Sequence, residues 1–104
     1  MSFDIEATIK SMLEAMKGVV GDNWKDVGSY AGQILQNKKE VFRQLVEEKL
    51  RGDITEDEFA SELEDEKDTF EAELDALNVL KKAMIQKAVN AALDVLYKAI
   101  KMAL

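Results

Sequence analysis

The sequence predicts an all-α fold: an antiparallel helical bundle of three to four helices, forming a single domain over residues 1–104. Three observations predict it. There is no proline, and the five glycines all lie between Gly18 and Gly52, so little interrupts helices along most of the chain. Apolar residues recur at steps of three and four, the period of a one-sided helix. Hydrophobic residues make up 47% and charged residues 34%, the balance of a folded, soluble chain rather than a disordered one.

The first helix is expected to begin after Ser2, a good N-cap, with Asp4 and Glu6 favourable in its first turn. Ile5, Ile9, Met12, Met16 and Val20 form its apolar stripe, and Gly18 and Gly21 mark its end. Asp22 or Asn23 is the expected cap of the second helix. Its stripe is Val27, Ala31, Ile34, Val41 and Leu45, widened by Leu35, Phe42 and Val46 and interrupted by Lys38. Lys49 and Arg51 suit the negative end of the helix dipole, and Gly52 is a natural residue just past it.

Thr55 and Glu58 have the spacing of a capping box, with Ile54 and Phe59 placed as a hydrophobic staple. The third helix therefore starts after Thr55 and turns Phe59, Leu63, Phe70, Leu74 and Leu77 inward. Beyond it, Asn78 is the best candidate for a break. A turn there gives four antiparallel helices with the last one central. Without it, helices three and four are continuous from Glu56 to Leu104, about 73 Å at 1.5 Å per residue. Such an elongated hairpin would leave apolar surface exposed and need a second copy, so the compact bundle is preferred. In the last segment Lys82, Gln86, Asn90, Asp94 and Lys98 form a narrow polar stripe. Val79, Leu80, Met84, Ile85, Val89, Leu93, Val95, Leu96 and Ile100 cover most of the remaining girth.

The chemistry that composition excludes is extensive. There is no cysteine, hence no disulfide and no thiol nucleophile, and no histidine, the commonest general base and metal ligand. Neither G-x-G-x-x-G nor G-x-x-x-x-G-K nor G-x-S-x-G nor S-x-x-K occurs. The expectation is a protein that is not an enzyme and uses no cofactor. The N-terminus lacks a basic stretch followed by an apolar run, and no stretch reaches the roughly 18 uncharged apolar residues of a membrane span. A cytoplasmic location is expected. The net charge of −7 disfavours nucleic acid as a partner. That charge is concentrated: residues 53–75 hold twelve acids against Lys67 alone, whereas residues 1–52 balance and residues 76–104 are basic.

Gly52-Asp53-Ile54-Thr55-Glu56-Asp57-Glu58-Phe59 resembles the second half of an EF-hand calcium loop, with Gly52 as its turn glycine and Glu58 as its bidentate ligand. The first half would need oxygen ligands at Glu47, Lys49 and Arg51, and two of these are cations, so no metal is expected. The same stretch resembles the helix–turn–helix start of a short bacterial C-terminal (SHOCT) domain, over one turn and one cap. Arg51-Gly52-Asp53 spells an integrin tripeptide but straddles a helix end, and is read as chance.

Two surfaces remain as binding candidates. Glu62, Asp65, Glu66 and Glu73 share one face of helix three with Thr69, a candidate partner surface. Carboxylate di-metal sites in bundles normally need Glu-x-x-His pairs, which this chain cannot supply. Gly28, Ala31 and Gly32 form a small-residue stripe suited to a close helix–helix contact, within the chain or across a homodimer. The leading functional expectation is a structural or protein–protein interaction module, completed by a second copy or a protein partner. One alternative is an amphipathic protein of lipid or granule surfaces, on the strength of the apolar last helix edged by Lys82, Lys87, Lys98 and Lys101. Another is an acidic immunity or antitoxin-like protein masking a basic partner.

Overall fold

A computed structural model describes residues 3–103. Asp4 starts the first helix, α1 (Ile5–Val20): its carboxylate accepts the Ala7 amide at 3.2 Å, satisfying one of the orphan donors of the first turn. The expected cap Ser2 lies outside the described residues, and Asp4 takes that role instead of a place in the first turn. Gly21, at φ +69°, ends α1. Residues 21–23 form a single 3₁₀ turn that runs straight into α2 (Trp24–Arg51). Asn23 holds the N-cap position of α2, as expected, but it has helical backbone angles and its side chain makes no cap bond, because the 3₁₀ turn already supplies backbone partners.

Gly52, left-handed at φ +78°, closes α2 with its amide on the Glu48 and Lys49 carbonyls. α3 (Glu56–Asp75) opens on the full capping box. The Glu58 amide donates to the Thr55 hydroxyl at 3.0 Å, and the Thr55 amide donates to Glu58 Oε1 at 2.9 Å. α3 stops at Asp75, and Asn78 adopts φ +56°, a left-handed conformation that asparagine tolerates better than most residues. After that turn α4 (Lys82–Ala103) runs back. The continuous 49-residue helix is thereby ruled out.

The four helices run alternately up and down. Lys39 reaches Glu6 at 2.6 Å and Leu13 touches Gly32, so α1 and α2 form an antiparallel hairpin. Lys49–Glu56 and Lys38–Glu66 do the same for α2 and α3, and the Phe59 and Tyr97 rings meet edge to face between α3 and α4. α4 then packs along α1, closing a square. The molecule measures 39 × 23 × 19 Å.

One core fills the square. Phe42, Phe59 and Phe70 are fully buried, joined by Met12 and Met16 of α1 and by Ala88, Val89, Ala92 and Leu96 of α4. Nearly every expected inward residue is there. Val41 is the main exception, 41% exposed, since α1 and α3 cover a narrower strip of α2 than its apolar residues span. Leu77, just past α3, is half-buried, and Val79 is exposed in the turn. α4 is a corner of the square rather than a central helix. Its polar stripe from Lys82 to Lys98 faces out, and much of its remaining girth is alanine.

Candidate protein-interaction site

A charged side chain inside the apolar stripe of α2 organises the seam with α3. Lys38 is buried, and its ammonium donates to Glu66 Oε2 at 3.1 Å and lies 3.6 Å from Glu73 Oε1. Burying an unpaired ammonium would be very costly, so a partner at this depth is a condition of the fold. Glu66 is positioned for it by spacing. Leu63, Glu66 and Phe70 follow at steps of three and four, which puts a carboxylate on the inward side of α3. This pairing was readable as two facts, a lysine in one stripe and a glutamate in another, but nothing local joins them.

The four acids of the candidate partner surface therefore divide. Glu66 and Glu73 are half-buried and engaged with Lys38. Glu62 and Asp65 are exposed and, among the described residues, have no cation within 4 Å. Asp57, Asp68 and Asp75 are in the same condition. Neighbouring cations are committed elsewhere: Lys67 lies 3.9 Å from Glu64, Lys49 2.9 Å from Glu56 and Arg51 2.8 Å from Asp53, and Arg43 pairs with Glu40 and Glu47. Those hydrogen bonds raise the pKa of Arg43 and Arg51 and lower that of Glu40. The Arg51–Asp53 bond also folds the integrin-like tripeptide onto itself.

The Gly28–Ala31–Gly32 stripe has two separate uses. Ala31 is fully buried, and a Cβ at Gly32 would lie 3.8 Å from a Leu13 methyl where α2 meets α1. Gly28 instead makes room for its own helix's Trp24, whose indole sits 2.8 Å from where a Cβ would be.

Several hollows mark the described surface. One of about 400 Å³ lies between the start of α1 and the end of α4 and is lined mainly by apolar groups, among them Phe3, Ala7, Val95, Ala99 and Met102. Two smaller ones flank α3 against α4. One, of about 210 Å³, includes Leu63, Lys67, Asn90 and Tyr97. The other, of about 230 Å³, includes Asp68, Glu71, Asp75 and Lys82. Burial, with help from Glu56 and Glu64, raises the Tyr97 pKa. Among the described residues no three Asp or Glu side chains gather so as to hold a metal ion, and no helix is long and apolar enough to cross a membrane. No protein-family model, no curated protein and no solved structure matches the chain.

Proposed function

We propose that this chain is a non-enzymatic interaction module that holds a basic protein partner on the acidic side of α3. The observation that carries the reading is the row of exposed carboxylates Asp57, Glu62, Asp65, Asp68 and Asp75, none with a cation within 4 Å among the described residues. From Asp57 to Asp75 the row extends about 27 Å at 1.5 Å per residue. Like charges along one helix repel and work against folding, and a partner's Lys or Arg side chains would relieve that repulsion while steering encounter. The apolar face of α4, on which a lipid-surface reading rests, is turned into the core at Ile85, Val89, Leu93, Leu96 and Ile100, so a protein partner is the better-supported occupant.

The test is binding of a lysine-rich peptide, followed by fluorescence anisotropy across a salt series. Binding should weaken with salt, and Glu62→Lys/Asp65→Lys/Asp68→Lys should reduce affinity by about tenfold or more. Equal affinity for wild type and variant removes the acidic side of α3 from the function. Light scattering across a concentration series reports whether a second copy, rather than a different protein, is the partner.

A further inference from the structure

The α2–α3 seam carries apolar surface as well as charge. Tyr30, Ile34, Asn37 and Val41 follow one another along α2 at steps of four, three and four and so make a single ridge. Gly32 and Lys39, which meet Leu13 and Glu6 of α1, lie on the opposite edge of the helix, so this ridge faces α3. Ile34 is buried at its foot, yet Tyr30 and Val41 remain 37% and 41% exposed. On α3 the matching ridge is Glu62, Glu66, Thr69 and Glu73, since the opposite edge, at Glu64 and Lys67, borders α4.

The ion pairs Lys49–Glu56 and Lys38–Glu66 fix the register between the ridges. Val41 then stands opposite the turn holding Glu62 and Asp65, and Tyr30 opposite the end of α3. Lys38 closes the floor of the seam in the middle, and in doing so consumes the only cation on this side of α2 between Tyr30 and Val41. The result is a seam with two exposed apolar side chains about 16 Å apart at 1.5 Å per residue, bordered by carboxylates.

Resting on the interaction reading above, we propose that this seam serves as the docking groove for a basic amphipathic α-helix of the partner protein. A helix laid along the seam repeats its apolar row at i, i+4, i+7 and i+11, the pitch that separates Tyr30 from Val41. Its apolar side covers these two residues, and its flanking Lys or Arg side chains reach Glu62, Asp65 and the outer side of Glu73. Charge complementarity selects a basic helix over an acidic one, and the exposed tyrosine is the kind of side chain that concentrates binding energy.

The experiment compares two synthetic peptides of identical lysine and leucine composition, one arranged as an amphipathic helix and one scrambled, against ¹⁵N-labelled full-length protein. The expected result is that the amphipathic peptide binds about tenfold or more tighter, with shifts centred on Tyr30, Val41, Glu62 and Asp65. Tyr30→Gln/Val41→Gln, at exposed positions, should remove that advantage without changing the fold by circular dichroism or weakening the scrambled peptide. Equal affinity for both peptides, both lost on reversing Glu62 and Asp65, overturns the groove but leaves the acidic surface standing. Shifts centred instead on Phe3, Ala99 and Met102 overturn the groove as well. Binding of neither peptide overturns both readings.

Discussion

The Lys38 ammonium and the Glu66 carboxylate meet at 3.1 Å across the α2–α3 seam, 28 residues apart in the chain and one helical turn before the core residue Phe70 on α3. Glu73 supports the same ammonium from two turns further along α3. This pairing aligns two helices whose remaining contacts are sparse, and it makes the seam sensitive to which partner is removed. Lys38→Met leaves Glu66 and Glu73 facing each other with no cation and should cost about 1–3 kcal/mol in urea unfolding. Lys38→Met/Glu66→Met together should recover most of that loss, because the buried charge disappears with its partner. A single variant as stable as wild type would show that the pair does not support the seam.

Core and ridge positions of α2 should respond very differently to truncation. Phe42 is fully buried, and Phe42→Ala should cost about 3–5 kcal/mol through lost contacts and a cavity. Val41→Ala, one residue away but exposed, should stay within about 0.5 kcal/mol. Comparable losses at the two positions in denaturant titrations would place Val41 inside the packing and close the proposed groove.

The glycines should separate by what surrounds them. Gly18 is helical with nothing within 4 Å of a Cβ, so Gly18→Ala should stabilise by about 0.5–1 kcal/mol. Gly28→Ala drives a methyl against the Trp24 indole at 2.8 Å, and should forfeit that gain while shifting tryptophan emission. Gly52→Ala has open space but φ +78°, and should destabilise by about 1 kcal/mol. Thermal melts of the three variants check the order.

The Thr55 cap is a local feature with a local readout. Thr55→Ala removes the acceptor of the Glu58 amide and should cost about 1 kcal/mol, with faster amide exchange confined to the first turn of α3. Uniform loss of protection across the molecule would show instead that α3 folds as one unit with the core.

Tyr97 sets an alkaline limit. Its pKa is raised above 10.0 in the folded protein, chiefly by burial against α3 and also by Glu56 and Glu64. Below the unfolded value both states hold the proton and the contribution is complete. Above it the unfolded chain releases the proton first, so stability falls as pH rises through the folded pKa. Tyr97→Phe keeps the ring that meets Phe59 at 5.7 Å and lacks the ionisable hydroxyl. The difference in urea midpoint between the two proteins should therefore change in favour of Tyr97→Phe above about pH 10 and be constant below it. A constant difference up to about pH 11 would contradict this.

Much of the architecture was legible residue by residue. The box at Thr55 and Glu58, the left-handed Gly52 and the turn at Asn78 all stand where the chain alone indicates, and Ile54 packs against the core to which Phe59 belongs. Each depends on residues within four or five positions of one another, a range over which backbone hydrogen bonding and side-chain spacing decide the outcome. The start of α2 directly after Asn23 was legible as a position, but not its mechanism: a 3₁₀ turn, not a side-chain cap, leads into the helix.

What the sequence by itself determined is the helical class, most element boundaries and the inward stripe of each helix. What only the tertiary structure decided is which stripe meets which. Lys38 read as an interruption, and Glu66 and Glu73 read as part of an exposed acidic face. Folding joined them into one cluster around a buried ammonium, left Glu62 and Asp65 outside it, and put Val41 at the rim instead of in the core. Periodicity specifies the direction of a side chain relative to its own helix axis. Burial and charge pairing depend on the distance to a neighbouring axis, and that distance is set only when all four helices pack around the same core.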